Sequence, residues 1–488
     1  MSRPTPIDAY PTATSNLQAD TENILQDHVP LEGGGGGCVL HKNRHLELLV
    51  RNLAQGFPAR YVSQDASQPW LMFWTLQSFS ALQIAIDPDT KQRAIDTIMQ
   101  WQHPDGGFGG GSGQAAHLLP TYAAVCSLAI VGRHGPGGGW DQIDRCVMRL
   151  YRFDLYPMRR RDKLYKWYLS LKQPDGSFIV SNHGEVDVRG IYCLLVVALI
   201  LDIMTPELVN GTPAFIASCQ TYEGGFSSAS HPHIFDGILA AQRPSLGEAH
   251  GGYTFCALAS WVLLQPYISA GEDAPRVDVR RLLRWLVNMQ GLEIELGGFK
   301  GRTNKLVDGC YSWWVGGAFA LLEALGVSPH VPAPASAHEG ETAKPAESGW
   351  NDADDSFFNR HALQEFILFA GQHPAGGLRD KPPKNPDAYH TAYCISGLSA
   401  AQHRVYPSPA RREVVRAAWE GEDGVRAAAF AEALCWTEED GGSYIVGSAA
   451  NRVNATHPLF NLTITHAEGI MAHFYKQTVP KRPPKPSH

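Results

Sequence analysis

The feature that most restricts what this chain can become is a phrase that keeps returning: QHPDGGFGG from position 102, QPDGSF from 173, QTYEGGF from 220, GLEIELGGF from 291 and QHPAGGL from 372. Each copy sets glycine, which tolerates positive φ, just before an apolar run of helical length, such as TYAAVCSLAIV, IYCLLVVALIL, YTFCALASWVLL, CYSWWVGGAFALLEAL and TAYCISGLSAAQ. One unit is therefore a helix, a Gly-rich turn and a buried helix. Such a unit buries its apolar faces only against neighbouring copies. The repeat predicts an all-α fold, a closed α/α ring of helical hairpins whose inner helices line a central apolar cavity. Repetition also explains how 488 residues can share one core, since single cores rarely grow beyond about 250–300 residues.

The ring is expected over residues 38–475, interrupted by an Ala/Pro/Ser/Glu-rich insertion near 328–355. Residues 1–30 and 476–488, and the pentaglycine at 33–37, are expected to be disordered. Within the insertion, Asp352, Asp354 and Asp355 spell DxDD, the proton-donating pattern of terpene cyclases. Their setting reads as an acidic linker rather than a catalytic motif. No role is assigned to the segment between Gly421 and Val453.

A net charge of −7 gives no reason to expect a nucleic-acid partner or an anionic membrane surface. The nine cysteines contain no CxxC pair and sit mostly among apolar residues, as reduced intracellular thiols do, so a cytoplasmic location is expected. No apolar run reaches the roughly 20 residues of a membrane span, so membrane insertion is not expected.

Chemistry concentrates in KLVDGCYSWW. Asp308 and Cys310 follow a GGF turn, which places them in the first turn of a buried helix. That helix N-terminus and nearby Lys305 are expected to favour a thiolate. Carboxylate, thiolate and imidazole together suit zinc. The third ligand is assigned to His390 in PDAYHTAYC, at the matching place after the next phrase. Three protein ligands leave one zinc position free, the pattern of catalytic sites. Arg302, Lys305 and His250 lie in the same register and compose a phosphate or diphosphate site. Trp70, Trp74, Tyr192, Tyr253, Trp313 and Trp314 supply aromatic walls for an apolar cavity that suits a prenyl chain.

These residues carry a resemblance. From DASQPWLMFW through GEVDVRGIYC, EAHGGYTFC, GRTNKLVDGCYSWW and GGLRDKPPKNPDAYHTAYC to THPLFNL, the chain resembles the protein farnesyltransferase β-subunit family. The resemblance implies an α/α toroid and one catalytic zinc on Asp308, Cys310 and His390. It implies that His250, Arg302, Lys305 and Tyr311 hold the diphosphate of farnesyl diphosphate, and that Asp380 recruits magnesium to it. Arg189, Tyr192, Tyr253 and Trp314 would line the isoprenoid cavity, while Trp70, Trp74 and Tyr389 contact the C-terminal peptide of a CaaX protein such as a small GTPase. An α subunit would complete the enzyme as an obligate heterodimer. The nearest alternative is the β subunit of geranylgeranyltransferase type I, whose pattern has a small residue in place of Trp70 and a lysine in place of Asp380.

Overall fold

The structure is a computed structural model that describes residues 10–30, 38–143, 163–231, 234–235, 238–239, 244–268, 271, 274–327 and 356–482. Its helices are α1 (Ala13–Gln26), α2 (Lys42–Gln55), α3 (Gln68–Ala81), α4 (Pro88–Met99), α5 (Leu118–Val131), α6 (Lys163–Leu171), α7 (Val188–Ile200), α8 (Pro206–Val209) and α9 (Thr212–Ser218). They continue as α10 (Gly251–Leu264), α11 (Val279–Val287), α12 (Tyr311–Trp314), α13 (Ala318–Ala324), α14 (Arg360–Glu365), α15 (Ala388–Gln402), α16 (Pro409–Ala417), α17 (Val425–Leu434) and α18 (Ile464–Tyr475). The strands among the described residues are short antiparallel pairs, such as Val405–Pro407 with Trp436–Glu438.

The inner ring follows from hydrophobicity. Helices α5, α7 and α10 are buried on nearly every side, as a helix apolar all round must be. Packing runs α3 to α5, α5 to α7, α7 to α10, α10 to α12, α12 to α15, and α15 back to α3. The ring is closed, as the repeat predicts. No described helix is long and apolar enough to cross a membrane.

The recurring phrase sets the spacing of the units. In each copy the last apolar residue is bridged by the residue that opens the phrase or the one just before it: Gln102 with Phe108, Lys172 with Phe178, Gln220 with Phe226, Gln290 with Phe299 and Gln372 with Leu378. One glycine inside each turn has positive φ, and a Cβ there would strike the next unit's outer segment. At Gly106 it would lie 2.6 Å from the Lys163 carbonyl carbon, and at Gly224 2.2 Å from the Arg281 oxygen. At Gly376 the clash is with the Arg44 oxygen of α2, at 2.2 Å. The last turn thus docks on the first unit by the contact the other turns use. The phrase glutamines reinforce this by accepting from the backbone N–H that opens the next outer helix: Asp278 to Gln220 (2.8 Å), Asn359 to Gln290 (2.9 Å) and His41 to Gln372 (2.8 Å).

Three expectations need correction. The N-terminal stretch is not wholly without structure: α1 opens on a capping box at Thr12, buries Leu25, and sends Gln18 Nε2 to Glu295 Oε1 (2.8 Å). Residues 476–482 are ordered too, with Arg482 bonded to Glu468 at 2.9 Å. The run CYSWWVGGAFALLEAL forms two helices, α12 and α13, because Gly316 and Gly317 interrupt it. The segment between Gly421 and Val453, to which sequence assigns no role, contributes the strand Trp436–Glu438 and α17, which packs against α16, α18 and the C-terminal end of α10. The DxDD motif and the pentaglycine lie outside the described residues.

Candidate active site

Helices α5, α7, α10 and α15 each begin on a residue whose side chain caps them, and Asp308 makes the equivalent bond in the turn that leads into α12. His117 Nδ1 accepts from Leu119 N–H (3.1 Å), Asp187 from Arg189 (2.7 Å) and His250 Nδ1 from Gly252 (3.0 Å). Asp308 accepts from Cys310 (2.8 Å) and Asp387 from His390 (2.8 Å). Short polar side chains at this position satisfy N–H groups that a helix cannot bond internally. The capping therefore builds a polar rim over an apolar interior.

On that rim Asp308, Cys310 and His390 offer ligand atoms that all lie within 4.8 Å of one another. His390 Nε2 stands 3.3 Å from Asp308 Oδ1. The register differs slightly from expectation: Asp308 is a cap, Cys310 lies two residues after it, and the equivalent of Asp308 in the next unit is Asp387. His390 comes three residues after that cap, almost one helical turn further on. Asp387 is the residue that sequence reasoning missed. Its second oxygen lies 2.6 Å from His390 Nδ1, which fixes the tautomer and aims Nε2 at the other two ligands. The signal was present in PDAYH, where an aspartate three residues before the histidine reads as an N-cap.

The expected thiolate is not what burial allows without a cation. Desolvation first, and the Asp308 charge second, raise the Cys310 thiol well above its ordinary value. Burial would lower His390, yet its bonds to Asp308 and Asp387 prevail and push it up to about 10. Burial likewise opposes ionisation of Asp308, but His390 outweighs it and holds the carboxyl low. The trio thus stands as an ion pair beside a protonated thiol, and it can bind a cation only in exchange for protons. Its donor set and the tautomer-fixing Asp387 fit a metal.

Beside the trio, His250 Nε2 lies 3.0 Å from Tyr311 Oη. Since Nδ1 accepts from Gly252, Nε2 carries the proton and donates, which leaves the Tyr311 O–H free to donate onward. Burial, with Arg302 and Arg189 nearby, lowers His250 to about 4, so the ring is neutral. Arg302 is paired with Glu248, and Lys305 is exposed on the same loop. Neither of these two lines the cavity. The Asp380 carboxylate is paired with Lys381, and burial together with Asp308 raises its pKa. Its backbone oxygen accepts from Gly309 N–H at 2.7 Å.

Beneath the rim lies a cavity of about 390 Å³ that collects Trp70, Trp74, Arg189, Tyr192, Tyr253, Trp313, Trp314 and Tyr389. Trp70 stacks on Trp74 at 5.6 Å, and Trp74 meets Tyr389 edge-on at 5.3 Å. Trp314 Nε1 donates to Tyr389 Oη (2.9 Å). Arg189, clamped by Asp187 at 2.6 Å, sits over the Tyr253 ring at 5.2 Å. An oily chamber with a cation-binding trio and a cluster of donors at its mouth can hold an apolar chain by one end and an anionic or sulfur-bearing group by the other.

Comparison with known proteins identifies the family and the fold. Residues 40–462 match the prenyltransferase alpha-alpha toroid domain. The protein farnesyltransferase subunit beta of Schizosaccharomyces pombe is 38% identical over 359 residues, 73% of this chain and 77% of that protein. Its counterpart in Pisum sativum is 37% identical over 379 residues, 70% of this chain and 80% of that protein. A solved structure of Candida albicans protein geranylgeranyltransferase-I complexed with GGPP covers 90% of this chain and 98% of its own at a TM-score of 0.54. At 17% identity it shares the fold. The chain belongs to the prenyltransferase α/α-toroid family, in the branch of the protein farnesyltransferase β subunits.

Proposed function

We propose that this site transfers a farnesyl group from farnesyl diphosphate to the cysteine of a C-terminal CaaX sequence, with zinc held by Asp308, Cys310 and His390. The observation that carries the reading is the convergence of those three side chains within 4.8 Å at the mouth of an aromatic cavity. When bound, zinc supplies a Lewis acid that lowers the pKa of an acceptor thiol. The carbon–sulfur bond forms at C1 of the prenyl group as the carbon–oxygen bond breaks, and diphosphate departs with the electron pair.

The chain's own groups serve the departure. Tyr311, polarised by neutral His250, donates its O–H to an oxygen of the leaving group, while Arg302 and Lys305 approach from the loop and meet its charge. Arg302 must exchange Glu248 for phosphate, so substrate binding breaks one ion pair and forms another. Asp380, paired with Lys381, is the carboxylate that would receive magnesium. Trp70, Trp74 and Tyr389 form the wall against which the acceptor peptide lies. Arg189, Tyr192, Tyr253 and Trp314 enclose the lipid and hold it in line with the thiol. An α subunit completes the enzyme, which works in the cytoplasm.

The experiment is prenyl transfer to a CaaX peptide from labelled fifteen-carbon or twenty-carbon diphosphate, using this chain co-expressed with an α subunit, with metal analysis of the same preparation. About one zinc per chain and preference for the shorter lipid are expected. A purified, folded complex without metal or transfer would refute the reading, and preference for the longer lipid would favour geranylgeranyl transfer instead. Trp70→Thr is expected to raise use of the longer diphosphate.

A further inference from the structure

Behind the central cavity lies a second and larger space, a cleft of about 890 Å³ between α12–α13 and the lower half of α15. The Trp313 indole lines both. The floor is shared as well: one loop supplies Asn461 to the cavity and Thr456 and Pro458 to the cleft.

The seam between α12 and α15 is not equally tight along its length. At Gly397 the helices approach so closely that a Cβ would lie 2.2 Å from Ser312 Cβ, so backbone seals that level. About one turn lower the facing residues are Gly316, Gly317, Ala320, Ser399 and Ala400, too small to close the gap, and they line the cleft. What separates the two spaces there is the indole.

Its attachment differs from that of the other end walls. Tyr122 and Tyr192 are anchored through their hydroxyls to the Phe460 and Leu459 carbonyls at 2.8 and 2.9 Å. Trp313 Nε1 is buried with no hydrogen-bond partner, and the ring rests on Phe255 at 5.3 Å. An indole with an unpaired N–H costs stability that a purely apolar ring would spare, so bulk is what this position obtains from tryptophan.

We propose that the Trp313 indole is the partition closing the blind end of the prenyl cavity, and thereby a determinant of the lipid length accepted. The inference rests on the farnesyl-transfer reading. With the indole present, a chain longer than the cavity meets an aromatic wall. With it removed, cavity and cleft join, and the extra isoprene unit reaches the near side of the cleft, between Gly316, Gly317, Ala320 and Ala400, while the charged groups Glu323, Arg360, Arg404 and Glu439 line the rest of it.

The test uses the complex with its α subunit and compares kcat/KM for the twenty-carbon and fifteen-carbon diphosphates. In Trp313→Ala the ratio should rise roughly tenfold or more, the scale on which a few methylenes in an apolar pocket are distinguished. Trp313→Leu, which retains more of the core, should shift it in the same direction and serves if the alanine variant does not fold. Adding Ala400→Leu, which fills the cleft from behind, should return the ratio toward wild type, whereas Ala400→Leu alone should leave it unchanged. A folded variant that transfers the fifteen-carbon lipid at an unaltered ratio overturns the proposal, as does a raised ratio that Ala400→Leu does not reverse. If the wild-type complex transfers neither lipid, it is the farnesyl-transfer reading that fails.

Discussion

Two seams of the ring have nearly the same local geometry and very different chemistry. At the α7/α10 seam, Asp187 caps its helix by accepting from the residue two positions on, Arg189, whose guanidinium then meets Tyr253, three residues after the next cap. At the α12/α15 seam, Asp308 caps by accepting from Cys310, two positions on, and the residue three after the next cap is His390. The backbone delivers cap, second and third positions to one spot in both cases. One seam yields a clamped cation over an aromatic ring, the other a ligand trio. The repeat is therefore a device for bringing side chains together, and residue identity at three positions decides what the meeting accomplishes.

If that is right, the ligand seam should fail completely when its third position changes. His390→Ala leaves a carboxylate and a thiol that share no imidazole, and the metal content should fall from about one per chain to nearly none. The loss of transfer should exceed the roughly 10–100-fold that outer-shell changes cost. Metal analysis with single-turnover transfer reads both, and retention of stoichiometric metal would break the comparison. Asp387→Asn comes next. It keeps the helix cap but removes the charge on His390 Nδ1, so metal affinity should weaken by about 10–100-fold, as measured by competition with a chelator. The converse change sharpens the point: Arg189→Cys with Tyr253→His writes the trio into the other seam. A second, weaker metal equivalent is expected there, because the cap beside the new imidazole is His250 rather than an aspartate. Titration with cobalt, whose thiolate bands report a cysteine ligand, distinguishes one site from two.

Much of this was legible in the sequence because glycine is hard to replace where φ is positive and the next backbone lies against it. The phrase marked the turn before every inner helix but α3, and the aromatic and ligand residues followed at readable distances. What escaped has physical causes. The N-terminal helix α1 reads as disordered because composition does not reveal that Gln18 and Gln26 have partners at Glu295 and Ile294, 277 and 268 residues away. The thiol of Cys310 was read as ionised from its neighbours in sequence, whereas its pKa is governed by burial and the adjacent Asp308. His390 was matched to Asp308 by counting from the phrase, but caps, rather than glycines, set the phase of the helices.

The comparison extends to the seam that closes the ring, where failure would open all the others. His45 of α2 is fully buried there; its Nδ1 accepts from Gly377 N–H (3.0 Å) and its Nε2 lies 2.9 Å from Gln372 Oε1. Burial lowers its pKa from 6.5 to about 4. A folded value below the unfolded one means that the unfolded chain holds more protons between the two. Stability is then complete above about pH 6.5, declines as pH falls through that window, and levels off near 4, a contribution of roughly 3 kcal/mol at most. Glutamine at this position can accept from Gly377 without titrating, so His45→Gln should remove that part of the acid sensitivity. Urea midpoints at pH 7 and pH 4.5 measure it, taken as the difference between wild type and variant so that other titrating groups cancel. Equal sensitivity in both would mean that the closing seam does not depend on a neutral imidazole, and that the glycine contact at Gly376 holds the ring shut without it.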